Sequence, residues 1–230
     1  KFVGDFHIHS KYARATSPDM DLEHLDKWAK IKGIKVISAG DFTHPAWFQE
    51  LKTKLEPAEP GLYTLRSVVS DTRFILTTEI SCVYTKNNKG RRVHLLIFAP
   101  SFEAVEKINA QLGWRGNLKA DGRPIIGIDS REVVQSALDA SPDCMVIPAH
   151  AWTPWVSVFG SKSGFNSLEE CFDEYTKYIY AIETGLSSDP AMNWRLSQLD
   201  SVARISNSDS HSLAKIGREA NVFDTEVSYA

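Results

Sequence analysis

Short apolar runs alternate with amphipathic stretches along this chain, and most of the runs end in a histidine or a carboxylate. The first, Phe2-Val3-Gly4-Asp5-Phe6-His7-Ile8-His9, reads as a buried strand with two histidines at its end. Side chains at i and i+2 of a strand point the same way, so His7 and His9 reach towards one point. A polar loop with two cations, Lys11 and Arg14, follows. Residues 21–30 have helical spacing, with Leu22, Leu25, Trp28 and Ala29 on the apolar face and Gly33 as the stop. His24 falls on the polar face and reads as a solvated residue. Residues 34–39 predict a strand that runs into Gly40-Asp41-Phe42-Thr43-His44-Pro45. Pro45 suits the first turn of a second helix, with Trp47, Phe48, Leu51 and Leu55 on its buried side.

Residues 74–84 read as a long strand, Lys86-Asn87-Asn88-Lys89-Gly90 as a turn, and residues 91–98 as the returning partner of a hairpin. His94 lies inside that return strand. Helices are expected over 102–112 and 130–138. Residues 144–150 form a buried strand ending in His150, 178–183 one ending in Glu183, and 202–211 one ending in Asp209-Ser210-His211. The stretch 151–165 is irregular and rich in Trp, Gly, Ser and Pro. Strands alternating with helices predict an α/β fold with a largely parallel sheet. The polar residues gather at the strands' C-terminal ends, where barrel enzymes build their active sites.

The length of 230 residues, with 43% hydrophobic and 24% charged, suits one domain of α/β-barrel size. The net charge of -3 is less basic than that of a typical stand-alone nucleic-acid-binding domain, which argues against tight binding of DNA or RNA by this segment alone. Cys82, Cys144 and Cys171 form no C-x-x-C pair; this fits a reducing, cytoplasmic setting and argues against a thiolate zinc site. No apolar run approaches a membrane span and no basic-plus-apolar leader opens the sequence, so no membrane partner is expected. The chain begins at Lys1, and residues 222–230 resemble the start of a further element. The expectation is a single domain, residues 1–230, forming the N-terminal part of a longer protein.

Six of the seven histidines (His7, His9, His44, His94, His150 and His211) lie in or just after predicted strands, and Asp41, Glu79 and Asp209 share that kind of position. One or two buried imidazoles are ordinary hydrogen-bonded core residues. Six would each need partners, and a shared metal cluster satisfies them together. Imidazole and carboxylate ligands without thiolate suit zinc, manganese or iron rather than calcium. Nine ligands exceed the needs of one ion. Two or three divalent ions about 4 Å apart, bridged by a carboxylate such as Glu79, would use them and lower the pKa of bound water to about 7. The chemistry implied is metal-assisted hydrolysis, most simply at phosphorus.

His7-Ile8-His9, Asp41, Glu79, His94, His150 and Asp209-Ser210-His211, in that order, resemble the polymerase-and-histidinol-phosphatase (PHP) domain family over nearly the whole chain. The resemblance implies a distorted (β/α)7 barrel with a trinuclear metal centre. It implies one ion on His7, His9, Glu79 and Asp209, a second sharing Glu79 with His94 and His150, and a third on His211 and the Asp41 region. The chain departs from the family pattern at that third site. Asp41-Phe42-Thr43-His44 stands where many members have Asp-His, and Arg14 and Ala15 stand where many have a further histidine. Asp41 and His44 are its candidates, and Asp41 and Asp209 are the candidate catalytic carboxylates.

Within the family, residues 7–17, 40–45, 153–165 and 183–190 resemble the endonuclease Q type, which cuts DNA on the 5′ side of deaminated bases. Such proteins are longer and carry a cysteine-ligated zinc module. The resemblance implies a DNA substrate, with chain beyond residue 230 contributing to its recognition. Lys11 and Arg14 are candidates to hold phosphates flanking the scissile one. Trp152, Trp155, Phe159 and Phe165 follow His150, beside Lys162. An aromatic there would stack on an extruded base or pack the barrel mouth; stacking and packing weigh evenly for Trp155 and Phe159, and packing is favoured for Trp152 and Phe165. Asn207 would contact a base edge or brace the Asp209 turn, and Glu183 would support a ligand or contact substrate. A small-molecule phosphomonoesterase would use the same cluster, and a non-catalytic, metal-stabilised binding module is the third alternative.

Overall fold

The computed structural model describes residues 1–229. Strand β1 (Phe2–Asp5) leads past the two histidines into helix α1 (Leu22–Lys32), then β2 (Val36–Ser38) and α2 (Pro45–Lys54). Short strands β3 (Leu55–Pro57) and β4 (Leu62–Leu65) precede the long pair β5 (Arg73–Lys86) and β6 (Lys89–Ala99). Next come α3 (Phe102–Gly113), β7 (Ile125–Ile126), α4 (Ser130–Ala140) and β8 (Met145–Pro148). The chain closes with α5 (Leu168–Phe172), β9 (Ala181–Glu183), α6 (Pro190–Asn193), β10 (Ala203–Ile205) and β11 (Asn221–Phe223).

Local chemistry sets these boundaries. Asp21, Ser101 and Asp129 cap α1, α3 and α4 by accepting backbone N–H bonds, and Gly33 ends α1 at φ +72°. Asn87 and Asn88 both sit at φ +55°, the backbone that a tight two-residue hairpin turn requires. The hairpin is therefore longer than the sequence pattern suggested at both ends.

The sheet corrects the expected architecture. Nine strands form one mixed sheet, with β1 and β2 parallel, β2 and β5 parallel, and β5 and β7 parallel. Five other pairings in it are antiparallel: β1–β11, β3–β4, β4–β5, β5–β6 and β6–β8. A two-residue turn can only join antiparallel strands, so the long hairpin breaks the parallel pattern that helices would impose. Strands β9 and β10 form a separate parallel pair. Among the described residues the barrel is thus not closed by continuous ladders. On one side of the pair, Ala151 N–H donates to Glu183 O at 2.8 Å; on the other, Ile8 and Ser210 form an isolated bridge. Both contacts lie at the level of the candidate ligands.

Both faces of the large sheet are buried. One face packs against the helices in the main core, which includes Ile37, Phe74, Leu76, Leu95 and Ile97. Their alternate neighbours Val36, Ile75, Leu96 and Phe98 form a second cluster with Ile147 and Ala181. His94 continues the Leu96–Phe98 row at i-2, and Glu79 the Ile75–Thr77 row, so these two ligand candidates stand on the face of the smaller core.

Gly185 sits where β9 meets the His150 turn. It has φ +60°, and a Cβ there would lie 2.4 Å from the Cβ of His150. Gly185→Ala therefore combines a left-handed backbone with a steric clash. It should destabilise the protein by about 2–4 kcal/mol in chemical denaturation, where surface Gly→Ala changes stay within about 1 kcal/mol.

Candidate metal centre

Three groups of side chains converge where the strands end: His7, His9 and Glu79; Glu79, His94 and His150; and His9, Asp209 and His211. Glu79 belongs to two of them, with its oxygens divided. Oε2 faces His7 Nε2 at 3.6 Å and His9 Nε2 at 3.3 Å. Oε1 faces His94 Nδ1 at 2.8 Å and His150 Nε2 at 2.9 Å. Asp209 Oδ1 lies 3.6 Å from His7 Nε2 and 3.2 Å from His9 Nε2. Donors around a tetrahedral ion with bonds of about 2.0–2.1 Å stand about 3.3 Å apart, so these separations suit a shared cation.

The donor atoms themselves ask for one. His7 Nε2, His9 Nε2 and Asp209 Oδ1 are buried and have no hydrogen-bond partner. The opposite edge of each imidazole is held. His7 Nδ1 is 3.0 Å from both Glu183 oxygens, and His9 Nδ1 is 3.0 Å from Asp41 Oδ1. His150 Nδ1 lies 3.2 Å from Ser157 Oγ. A carboxylate behind a histidine fixes the tautomer that presents a free Nε2, the usual support of a metal-ligating imidazole. The residues therefore fit divalent metal ions. Asp41, His150 and Asp209 adopt φ values of +45°, +30° and +46°. Positive φ in three non-glycine residues at one site is backbone strain held by the surroundings.

The charges are strongly coupled. Burial alone would lower the pKa of His7, but Glu183, Asp209 and Glu79 raise it well above the ordinary value. His9 is likewise raised well above, against its burial, by Asp41, Asp209 and Glu79. Burial would raise Glu79, yet His94 and His7 hold it well below the usual carboxylate range. Asp209 is pulled down by His7 and His9 against the same penalty. Burial wins at His94, which is lowered despite Glu79.

The other sequence candidates separate into distinct roles. Asp41 does not offer a free oxygen to the cluster: Oδ2 accepts from Ser10 N at 2.6 Å and Ser10 Oγ at 2.7 Å, while Oδ1 faces His9. His44 is not brought to the ligands. It caps α2, its Nδ1 accepting from Trp47 N, and it stacks on Tyr12 at 4.4 Å. Glu183 is fully buried and also accepts from His150 N at 2.8 Å and Asn207 Nδ2 at 2.8 Å. Asn207 is equally buried, its Oδ1 accepting from Phe6 N, so it braces the framework and is closed to a base edge. Lys11 pairs with Glu50 at 2.9 Å, and Arg14 extends into solvent with a side chain 84% exposed, 3.8 Å from Asp121. Phe159, only 7% exposed, packs on Trp152 at 4.8 Å and so joins the core. Trp155 is 59% exposed, with Lys162 Nζ 5.8 Å from its ring centre.

One residue at the centre escaped the sequence pattern. Arg123 places Nη1 3.4 Å from Glu79 Oε2. It lies outside every strand-end motif, and its one local signal is the preceding Asp121-Gly122 turn.

No protein-family profile matches the chain. It is 30% identical over 240 residues to the uncharacterized protein YqxK of Bacillus subtilis, an alignment covering 96% of this chain and 58% of that protein. The uncharacterized protein MJ0043 of Methanocaldococcus jannaschii is 34% identical over 151 residues, 65% of this chain and 16% of that protein. The structure closely matches that of the lesion-specific endonuclease Q of Pyrococcus furiosus, with a TM-score of 0.83 and 30% identity over 96% of this chain and 51% of that one. An endonuclease Q complex with a 27-mer duplex carrying an abasic lesion at the active site gives the same TM-score and identity, over 97% of this chain and 54% of that one. A protein of Bifidobacterium adolescentis assigned as a metal-dependent phosphoesterase shares the fold at a TM-score of 0.60 and 13% identity, over 98% of this chain and 92% of that one. The chain spans little more than half the length of YqxK and the endonuclease Q chains, and far less of MJ0043.

The raised pKa values of His7 and His9 make metal binding a proton exchange. Protons on these two imidazoles stabilise the metal-free fold fully below about pH 6.5, and this stability is lost as pH rises through the raised folded values. The melting temperature of chelator-treated protein should therefore fall as pH rises above 6.5, and the metal-loaded protein should lack this decline. In the same window metal addition should release protons, read by calorimetry in buffers of different ionisation enthalpy. Glu183→Gln, which weakens the support of His7, should reduce metal affinity about 10–100-fold.

Proposed function

We propose that this chain is the PHP-type catalytic domain of a DNA-repair endonuclease that hydrolyses the phosphodiester 5′ of deaminated bases (uracil, hypoxanthine or xanthine) or at abasic sites. The observation that carries the reading is the pair of ligand groups sharing Glu79, set in a structure of which 96% superposes on about half of the endonuclease Q chain. His7, His9, Glu79 and Asp209 would hold one divalent ion, and Glu79, His94 and His150 a second. His211, beside His9 and Asp209, is the candidate for a third. Zinc, manganese and iron suit this donor set, with no thiolate among the ligands. Such ions, when bound, supply a nucleophilic water of lowered pKa and neutralise charge on the phosphate.

The protein's own groups do the positioning. Asp41 and Glu183 keep His9 and His7 presenting Nε2, and both carboxylates are spent on that task. Asp41 is therefore a positioning residue for His9. Asp209, with one oxygen turned to both imidazoles and its side chain 28% exposed, is the ligand best placed to meet the reacting group. Trp155 is the aromatic left available for a base, and Lys162 beside it is available for a phosphate. Base recognition by protein segments outside residues 1–230 belongs to the same proposal.

The test is cleavage of an end-labelled duplex carrying one deoxyuridine or deoxyinosine, with manganese, magnesium or zinc. A nick 5′ of the lesion is expected, and Asp209→Ala should lower it at least about 10³-fold. Trp155→Ala should raise KM for the duplex about 10-fold, equivalent to one lost base stack, with little change in metal content. Absence of a nick from this chain and from any longer form, together with metal-dependent release of phosphate from small monoesters, would replace the endonuclease by a phosphomonoesterase.

A further inference from the structure

Arg123 stands beside the candidate ligands with no structural task that accounts for its place. The loop that delivers it is firmly built. Gly122 N–H donates to Tyr12 O at 3.0 Å, and Gly122 O accepts from Thr43 Oγ1 at 3.4 Å. Asp121 Oδ1 accepts from the backbone N–H of both Arg14 and Arg123 at 3.1 Å. A Cβ on Gly122 would meet Asp41 Oδ2 at 2.5 Å, so only glycine lets the loop lie against the carboxylate that supports His9. One residue beyond Arg123, Pro124 O accepts from Ser81 N at 3.0 Å, two residues along β5 from Glu79. Arg123 is thereby clamped between the His9–Asp41 wall and the Glu79 strand.

Its side-chain contacts are sparse for so built a position. Among the described residues its one side-chain hydrogen bond is Nη1 to Glu79 Oε2 at 3.4 Å, long for a charge-assisted bond. Nε is buried with no partner. The side chain remains 31% exposed, so part of the guanidinium is reachable from solvent. A guanidinium serving only to neutralise a carboxylate gains most from a short, bidentate fork. Here it shares a single oxygen with His7 and His9, the oxygen best placed to serve as a ligand. A fixed cation next to divalent ions is repelled by them until an anion arrives between, and the guanidinium fork matches the oxygens of a phosphate.

We propose that Arg123 is a catalytic residue of the centre, binding a non-bridging oxygen of the scissile phosphate through its unused N–H donors. The inference rests on the phosphoesterase reading above and adds to it the group that receives the substrate's anion. Arg123 keeps its proton throughout; it contributes fixed positive charge where negative charge builds on the phosphoryl oxygens.

The experiment compares wild type, Arg123→Lys and Arg123→Met as manganese-loaded protein. It measures metal content, melting temperature and calorimetric binding of inorganic phosphate, and then nicking of the lesion duplex. Wild type should bind phosphate. Arg123→Met should keep its metal and its melting temperature, bind phosphate at least about 10-fold more weakly, and nick about 10²–10³-fold more slowly in kcat. Arg123→Lys, which keeps the charge and loses the fork, should fall between the two. Unchanged phosphate affinity in Arg123→Met overturns the inference, as does loss of metal from that variant, which would make Arg123 a support for Glu79. Wild type that binds no phosphate overturns it too. Should Arg123→Met fail to fold, undiminished phosphate affinity in Arg123→Lys would overturn it. If phosphate binding depends on Arg123 and neither this chain nor a longer form cuts DNA, the inference holds and the DNA reading falls.

Discussion

The fully buried carboxylate of Glu79 is the constraint around which the centre is arranged. It lies within β5, part of the long hairpin, and its two oxygens face opposite pairs of imidazoles. An isolated ionised carboxylate in that position would be expelled or protonated, because removing it from water costs far more than one hydrogen bond returns. Four histidines meet it instead, and His94, His7 and His150 hold it ionised against its burial. The histidines come from β6 and from the turns that follow β1 and β8, all strands of the large sheet, so one buried charge draws the ends of three of its strands together.

Carboxylates and amides packed behind the ligands carry the link on to β9 and β10. Glu183, at the end of β9, accepts from His7, from the backbone of His150 and from Asn207. Asn207 accepts in turn from Phe6 N and Asn221 Nδ2. Asp5 accepts from Ser208 N and Gly217 N. These bonds run from the start of the chain to the segment after β10, across the place where ladder hydrogen bonding is interrupted. Polar networks of this kind are costly when partly satisfied and rigid when complete. The strained φ values of Asp41, His150 and Asp209 persist because such partners fix both sides of each turn.

Residues spaced by short-range rules were legible in the sequence. The Gly33 stop of α1, the Pro45 start of α2, the hairpin turn within residues 86–90 and the His7–His9 pair all follow from local pattern, and the histidines brought to strand ends pointed to a cluster. What local pattern does not encode is the partner of each group. Asp41 lies between His9 and Ser10, where both oxygens are already engaged, and no spacing rule separates that from direct ligation. His44 precedes Pro45 and is drawn into capping α2. The split of β9–β10 from the large sheet depends on which strands find ladder partners, a long-range outcome that alternating strands and helices leave open. The short strands β3, β4 and β7 carry too few residues to show a period.

Charge tells the same story at the site. The sequence places Lys11 and Arg14 immediately after the histidine pair, which makes them the natural phosphate contacts. In space Lys11 is bound to Glu50, and Arg14 points to solvent beside Asp121. The cation that reaches the ligands is Arg123, more than one hundred residues further along the chain. Asp121 links the two: one of its oxygens accepts from the backbone of both Arg14 and Arg123, so the loop after the histidines and the loop before β7 are fixed to each other. The net charge of -3 therefore says little about the centre, where local positive charge is set by which loops are pinned together. The same pinned loops set Arg123 Nη1 3.4 Å from Glu79 Oε2 with its remaining donors uncommitted among the described residues, and the proposed contact with a phosphate oxygen rests on that placement.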